Sequence, residues 1–271
     1  MYVYRELVSL ESLNLAAFLT SLVFLGLSAH SDLKTREVSN WVWAVYLPAA
    51  IVMLGLRLLV APALLIVSLV SILSILCIAY LMFRFGLFGG ADLKALACLG
   101  IALPTTPMTQ LIPSTTPNPL FPLAVLYNAY FFSISVILYS FVRNVYWKSR
   151  KGRMLFTDYV KTSLGEKVVA LLSGYRTDFG TLKRKVHLYP MEEIRTANGV
   201  TYRRLKFFTN AEADRNQLVD SLEPFLSDSQ KEAVWVSPGI PLLFFILISL
   251  ISTGLIGDAL LWIIIHVMRI L

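Results

Sequence analysis

The chain has 271 residues, of which 56% are hydrophobic and only 15% charged. Soluble domains carry roughly 25% charged residues, so this composition argues against a water-soluble globular enzyme, a disordered tail and a coiled coil, and predicts a membrane protein. The net charge of +7, from 24 Lys and Arg against 17 Asp and Glu, would suggest a nucleic-acid partner in a soluble chain. Its meaning therefore depends on where the charges lie.

Six apolar stretches are long enough to cross the roughly 30 Å hydrocarbon core of a bilayer. They cover residues 12–29, 41–56, 61–83, 91–112, 120–142 and 240–268. The fourth stretch carries Asp92 in its first turn, and Gly257-Asp258 interrupts the last one. We predict no cleaved signal peptide, because Glu6 and Glu11 rather than a basic segment precede the first apolar run.

A polar insert precedes the last apolar stretch, since residues 143–232 hold 28 of the 41 charged residues. Inside it, residues 157–172 and 211–225 have helical spacing, and Asn198-Gly199 between two β-compatible runs predicts a two-residue hairpin. We predict an α-helical membrane protein of about six transmembrane helices with a small α+β cytoplasmic domain inserted before the last helix. The predicted parts are residues 1–142 (helices one to five), 143–237 (the insert) and 238–271 (the last helix).

The basic residues predict the orientation of the chain. If the N-terminus is outside, 21 of the 24 lysines and arginines lie on one side, all 17 of the insert among them. We therefore expect a multi-pass protein of the cell membrane with both termini outside and a cytoplasmic insert. Setting this topology is a sufficient role for the positive charge, so no nucleic-acid partner is needed. The basic residues of the insert either attract anionic lipid or a charged partner or form a solvated face.

Two carboxylates are predicted at one edge of the membrane. An acid in or beside a span indicates a functional site by default. Asp32 ends the first span, which runs inward, and Asp92 begins the fourth, which runs outward, so both come to the cytoplasmic edge. Asp258 lies late in the last span, at the opposite face. A close pair of acids shares one proton, so that one activates water and the other polarises a peptide carbonyl; which of the two is protonated stays open.

The residues next to the acids allow two interpretations of the segment around Asp92. In the first interpretation, Gly89-Gly90 before Asp92 either lets a substrate backbone approach closely or lets the chain adopt a positive φ, because glycine has no side chain. A helix that begins here also puts the acid near the positive end of its dipole. The alternative is a plain turn with Asp92 as an N-cap. Taken alone, the segment around Asp32 predicts an acid at the membrane interface whose negative charge is balanced by Lys34 and Arg36.

Together the two segments resemble the archaeal preflagellin and prepilin peptidases, the type IV leader peptidase branch of the GxGD intramembrane aspartyl proteases. The resemblance rests on residues 31–40, S-D-L-K-T-R-E-V-S-N, and on residues 89–100, G-G-A-D-L-K-A-L-A-C-L-G. The family's six-span layout covers nearly the whole chain. The resemblance implies a catalytic pair, Asp32 and Asp92. Residues implied in substrate binding are Gly89, Gly90 and Ala91 through their backbone, and Lys34, Arg36, Asn40 and Lys94.

The reaction that this resemblance implies is removal of a short basic leader from archaellin or type IV pilin-like precursors at the cytoplasmic membrane edge, with no metal or cofactor. The chain departs from the family at Ala91, which replaces the second glycine of G-x-G-D, and at Ser39, where many members have proline. It lacks the four-cysteine domain of many bacterial members, and no site for N-methylation is carried over. Two further segments are similar to motifs of related proteases but lie at positions where those motifs do not belong. They are Pro62-Ala63-Leu64 and Gly257-Asp258.

The sequence leaves two other classes of function open. A six-span transporter or channel with a cytoplasmic regulatory domain would use the acids as ion ligands, but would favour acids at the midplane or inverted repeats. A non-catalytic scaffold would tolerate loss of either acid. His30 beside Asp32 is expected to be structural rather than a metal ligand. Cys77 and Cys98 fall within predicted spans, so neither a disulfide framework nor a four-cysteine zinc site is predicted.

Overall fold

Most of the chain folds into helices, as its hydropathy predicts. The computed structural model describes residues 9–107, 118–151, 155–156, 162–197, 200–207, 215–226 and 232–270. The chain divides into two units, one of Met1–Phe132 with Pro241–Leu271 and one of Ser133–Ile240.

The helices, in chain order, are α1 (Leu10–Thr35), α2 (Asn40–Val60), α3 (Leu65–Arg84), α4 (Gly90–Ala102), α5 (Phe121–Lys151), α6 (Leu164–Ser173), α7 (Phe179–Arg184), α8 (Arg215–Leu222), α9 (Leu242–Leu255) and α10 (Ala259–Ile270). Short 3₁₀ turns occupy Pro62–Leu64 and Glu223–Phe225. The strands are β1 (Tyr175–Asp178), β2 (Leu188–Pro190), β3 (Glu192–Ala197), β4 (Val200–Leu205) and β5 (Ala233–Pro238).

Several helices are long and apolar enough to cross a membrane. Among the described residues these are Leu10–Thr35, Asn40–Val60, Pro62–Arg84 and Phe121–Ser149. Helices α9 and α10 pass the same test together but are bent by 63°. These segments coincide with five of the predicted spans, so the chain is a multi-pass membrane protein. The count of six stays a prediction.

Helix α4 is shorter than the fourth predicted span. It has 13 residues, about 20 Å at 1.5 Å per residue, and ends at Ala102. The following Leu103 leaves the helical conformation, with φ −134° and ψ 65°, because a residue before proline avoids helical backbone. Arg57, only 2% exposed, donates to the Ala102 carbonyl over 3.1 Å and places a positive charge at the negative helix end. Residues 108–112 of the predicted span lie outside the described residues.

The interruption predicted at Gly257-Asp258 is confirmed. Helix α9 ends at Leu255, Gly257 has φ 120°, and α10 begins at Ala259. A positive φ of this kind suits glycine, which has no Cβ to clash with its own backbone.

Close helix contacts bring the two acidic segments into one bundle. Helix α1 contacts α2, α4 and α9, and α4 also contacts α2 and α3. The rings of Phe24 and Tyr46 stack at 4.9 Å between α1 and α2. A Cβ on Gly100 would lie 2.5 Å from Cγ2 of Ile75, so the last glycine of the second motif allows α4 to approach α3 closely.

The second unit contains a small α+β fold, as predicted for the insert. Strand β5 lies between β1 and β2, and both pairings are antiparallel. Strands β3 and β4 pair with Ala197 opposite Val200, which confirms the strands of the predicted hairpin, while Asn198 and Gly199 lie outside the described residues. Helix α8 falls within the second segment predicted as helical. Helix α6 overlaps the first, but it begins only at Leu164, after the non-helical N-cap Ser163, and ends one residue beyond the prediction at Ser173. Residues 157–161 and 211–214 of the two segments lie outside the described residues.

Two apolar clusters form the core of this α+β fold. The first holds Tyr175, Phe179, Leu182, Leu188, Val219, Leu222, Leu226, Val234 and Val236, and the second holds Ala170, Met191, Leu205 and Trp235. An ion-pair group borders them: Arg203 binds Glu192 at 2.6 Å and Glu232 at 2.9 Å. The Glu192 side chain is fully shielded from solvent, so this pairing compensates the cost of burying its charge.

Candidate active site

Asp32 lies in the last turn of α1. The helix ends at Arg36, which has left-handed backbone with φ 62° and ψ 18° and donates its N–H to the Asp32 carbonyl. This turn brings the Arg36 guanidinium within 3.9 Å of the Asp32 carboxylate. The Asp32 side chain is 16% exposed, so it is largely withdrawn from solvent but not sealed. The expected balance between Asp32 and Arg36 is confirmed, while Lys34 is exposed.

Asp92 lies in the first turn of α4, as predicted. Gly89 is the N-cap residue, and its N–H donates to Oδ2 of Asp92 over 3.0 Å. The carboxylate therefore stabilises the start of the helix and lies near the positive end of the helix dipole. The alternative of Asp92 as the N-cap itself is wrong, because the capping position belongs to Gly89 three residues earlier.

The two acids lie within electrostatic reach of each other. The charges of Asp32 and Arg36 both act on the Asp92 carboxylate, and helices α1 and α4 are in contact. Neighbouring carboxylates repel when both are ionised, so such a pair holds one proton between them at moderate pH. An arrangement with one protonated and one ionised acid suits general acid–base chemistry.

A hydrogen bond joins the two motifs on the exposed side of the bundle. The Lys94 ammonium donates to Oδ1 of Asn40 over 2.7 Å. Asn40 begins α2, directly after the segment that carries Asp32, and Lys94 lies two residues beyond Asp92. The sequence predicts each of them as a site residue but does not predict their mutual contact.

The glycines before Asp92 leave space rather than adopt unusual backbone. Gly89 has φ −78°, and among the described glycines positive φ occurs at Gly86 and Gly257, so the predicted option of positive φ at Gly89-Gly90 is wrong. Among the residues that the structure describes, nothing lies within 4 Å of a Cβ placed on Gly90. The backbone at Gly90 therefore borders open space, as close approach of another chain requires. Ala91 follows in the same turn and is partly buried.

Tyr130 of α5 lies beside this candidate site, and the sequence pattern does not identify it. Its ring stacks on Phe88 at 6.3 Å, and Phe88 precedes the glycines of the second motif. The Asp92 charge acts on the Tyr130 hydroxyl, and Tyr130 is 43% exposed. A tyrosine in an apolar span has no local signal that distinguishes it from a lipid-facing residue, so only the packing reveals it.

Asp258 takes part in a different cluster, at the break between α9 and α10. Its Oδ1 accepts hydrogen bonds from Asn128 at 3.2 Å and from the Leu261 N–H at 3.0 Å. Asn128 also donates to Thr253 at 3.2 Å and accepts from the Leu260 N–H at 2.9 Å. The fully buried Asn128 thus binds both halves of the bent pair, which indicates a structural clasp.

Metal-ligating side chains do not cluster in the part of the chain that the structure describes. No group of three or more His, Cys, Asp or Glu there could hold a metal ion. His30, next to the first motif, is exposed. Cys77 and Cys98 are free thiols, the former exposed and the latter buried.

Two family models match the chain. A model described as the type IV leader peptidase family matches residues 19–142, which include both acidic motifs. A second, described as the archaeal peptidase A24 C-terminus type II, matches residues 166–259, which cover most of the α+β fold and helix α9. The two matches are consecutive and follow the order of the chain.

Curated relatives resemble the chain over most of its length. A preflagellin peptidase of Methanocaldococcus jannaschii is 27% identical over 249 residues, which are 89% of this chain and 94% of that protein. A preflagellin peptidase of Methanococcus voltae is 28% identical over 263 residues, 92% of this chain and 98% of that protein. One of Methanococcus maripaludis is 26% identical over 238 residues.

Proposed function

Because the chain belongs to the type IV leader peptidase family, we propose that it is a membrane aspartyl endopeptidase that removes the leader peptide from archaellin precursors, with Asp32 and Asp92 as its catalytic pair. The observation that carries this proposal is the packing of α1 against α4, which brings one acid from each motif close enough for the charge of Asp32 to act on Asp92. The name shared by the relatives, preflagellin peptidase, supports archaellin precursors as the substrate class.

The chemistry follows from a shared proton. The ionised member of the pair takes a proton from a water molecule, which attacks the scissile carbonyl, while the protonated member donates to the carbonyl oxygen. The pair titrates as a unit, so neither role belongs to one residue in the resting enzyme. Arg36, 3.9 Å from Asp32, balances the negative charge of the pair and holds the Asp32 carboxylate in place.

The open space beside Gly90 supports entry of an extended peptide. A helical substrate must unwind before hydrolysis, and its freed backbone needs polar partners close to the acids. At Gly90 no side chain stands between such a backbone and the start of α4. The proposed substrate-binding residues also include Ala91, Lys34, Arg36, Asn40 and Lys94. Their basic members lie on the side where we place the cytoplasm.

We further propose that both termini are outside and that residues 143–237 form a cytoplasmic domain. The orientation rests on the Lys and Arg asymmetry, and the division of the chain into two units supports a separate domain there. In this topology the precursor's apolar segment stays in lipid while its charged leader stays in water, and the scissile bond reaches the membrane edge where the acids lie.

A panel of precursors tests the proposal. Purified protein in lipid vesicles is incubated with an archaellin precursor and with a type IV pilin precursor, and mass spectrometry measures the mass lost from each. We expect loss of the leader mass from archaellin, and none with an Asp32→Asn/Asp92→Asn double variant of equal abundance. Cleavage by the double variant, or no cleavage by the natural protein, would contradict the proposal. Ion flux into the same vesicles in place of cleavage would favour the transporter alternative.

A further inference from the structure

Helix α6 carries an exposed apolar face. Leu164, Val168, Val169 and Leu172 are 81%, 54%, 42% and 45% exposed. Residues at positions i, i+4 and i+8 lie on one side of a helix, so Leu164, Val168 and Leu172 form a continuous stripe with Val169 beside it. We call these four residues the apolar face of α6. On the opposite side, Ala170 is fully buried in the core.

This arrangement reverses the one expected for a helix on a soluble fold. Such a helix buries its apolar stripe and turns polar residues to solvent. In α6 the apolar residue Leu171 packs onto the core cluster of Trp235, while Glu166 and Lys167 flank the core side and are partly buried. Contiguous exposed apolar surface of this kind marks a contact with a protein or a membrane.

Hydrogen bonds tie the end of α6 to the membrane helix α5. The Asn144 side chain, 1% exposed, donates to the Gly174 carbonyl over 2.8 Å and accepts from the Arg176 N–H over 3.2 Å. Gly174 is the residue directly after α6. A Cβ there would lie 2.3 Å from the Met191 sulfur and 2.4 Å from the Val236 carbonyl oxygen, so the chain is closely packed at this point.

The point of attachment lies within the apolar part of α5. Asn144 falls inside Phe121–Ser149, the stretch that is long and apolar enough to cross a membrane. The exposed apolar side chains of α5 around it are Leu138, Tyr139, Phe141, Val142, Val145 and Tyr146. Since side chains like these face lipid in a spanning helix, the end of α6 lies near the level where we place the exit of α5 from the bilayer.

We propose that α6 is an interfacial helix, which lies at the bilayer surface beside α5 with its apolar face buried among the lipids. The occupant is lipid rather than protein, because Asn144 holds the C-terminal end of α6 to a part of α5 whose exposed side chains are apolar. The exposed Lys148, on the last turn of the same spanning stretch, suits the headgroup level. Interfacial burial of α6 attaches the α+β fold to the membrane at a second point and does not depend on the proposed protease activity.

Site-directed spin labelling of the full chain in lipid nanodiscs tests this proposal. The two free cysteines are first replaced, as Cys77→Ser and Cys98→Ala, and single cysteines are introduced as Val168→Cys or Leu172→Cys. The matched control is Asp220→Cys, an exposed position on α8 of the same unit. Power saturation then compares collisions of each label with oxygen, which concentrates in lipid, and with a water-soluble nickel complex.

We expect the ratio of oxygen to nickel accessibility to be several-fold higher at positions 168 and 172 than at position 220. Equal ratios at all three positions would show that the face meets water and would overturn the proposal. Labels at 168 and 172 shielded from both reagents would indicate a protein contact and would overturn it as well. Leu164→Cys, at the most exposed position of the face, provides a repeat that leaves the core of the fold unchanged.

Discussion

Lys94 of α4 donates a hydrogen bond to Asn40 of α2 over 2.7 Å. The two residues are 54 positions apart, and each belongs to a different acidic motif. The bond therefore holds the segment that follows Asp32 against the helix that carries Asp92 in its first turn. This contact links the spacing of the two acids to a pair of exposed side chains that can be changed without entering the apolar core.

Removing the Lys94–Asn40 bond should lower cleavage more than stability. An exposed charged contact contributes about 0–1 kcal/mol to folding, so Lys94→Gln and Asn40→Ala should unfold near the natural melting temperature. Since misplaced catalytic groups lose rate steeply, we expect kcat to fall in both variants. The double variant should be no worse than either single one if they act through one contact. Arg84→Gln, which removes an exposed charge at the end of α3, is the control; an additive double variant would contradict the link.

The catalytic pair should fail when either acid is replaced. Asp32→Asn and Asp92→Asn should each lower cleavage of an archaellin precursor by roughly 10²- to 10⁴-fold, because a lone carboxylate cannot supply both the base and the acid. The natural protein should give a bell-shaped dependence of kcat/KM on pH, with one limb for each proton of the pair. Asp258→Asn should retain the activity, since its oxygen still accepts from Leu261. Full activity in either motif variant would refute the mechanism.

Gly90 and Gly100 should respond in opposite ways to alanine. Gly90 lies at the start of α4 in open space, so Gly90→Ala should leave the melting temperature unchanged or raise it. It should nevertheless raise KM, because a methyl group would stand where the substrate backbone approaches. Gly100→Ala should lower the melting temperature, because its Cβ would meet Ile75 at 2.5 Å. Thermal unfolding and steady-state cleavage of both variants provide the comparison; an unchanged KM for Gly90→Ala would argue against backbone entry there.

The hydroxyl group of Tyr130 should contribute to activity, and its ring should contribute separately to stability. Tyr130→Phe keeps the stack on Phe88 and removes the hydroxyl group on which the Asp92 charge acts. We expect a lower kcat and a displaced pH profile with an unchanged melting temperature. Tyr130→Leu should also lose the stack and with it some stability, at about 0.5–1.5 kcal/mol for an aromatic pair. A pH profile that is identical in Tyr130→Phe and the natural protein would limit the residue to packing.

Asn128→Ala should loosen the bend between α9 and α10. The variant removes hydrogen bonds to Thr253, Asp258 and Leu260, and each buried group left unpaired costs about 1–3 kcal/mol. We expect a clear fall in melting temperature in detergent, with kcat/KM of the remaining folded enzyme near that of the natural protein. A control variant, Ser74→Ala on the exposed side of α3, should change neither the melting temperature nor kcat/KM. Loss of activity without loss of stability would place this cluster in the reaction instead.

Local pattern was sufficient for five of the six predicted apolar helices, the helix break and the two motifs. Hydropathy and length predict membrane helices because each must satisfy its own backbone in lipid. The break at Gly257-Asp258 and the hairpin strands around residues 198–199 follow from turn chemistry of adjacent residues. An approach of Asp32 to Asp92 could be expected, because the direction of successive helices alternates across a bilayer and the predicted topology puts both acids on one side.

The tertiary structure alone decided which side chains meet. Lys94 with Asn40, Tyr130 beside Asp92, and Gly100 against Ile75 are contacts between helices, and periodicity within one helix carries no information about its neighbours. The exposed apolar face of α6 also became visible only in the fold, because hydrophobic spacing shows that a stripe exists but not whether the core or the surroundings receive it. The sequence by itself thus determined the elements and the two acids, and packing between distant segments determined the site around them.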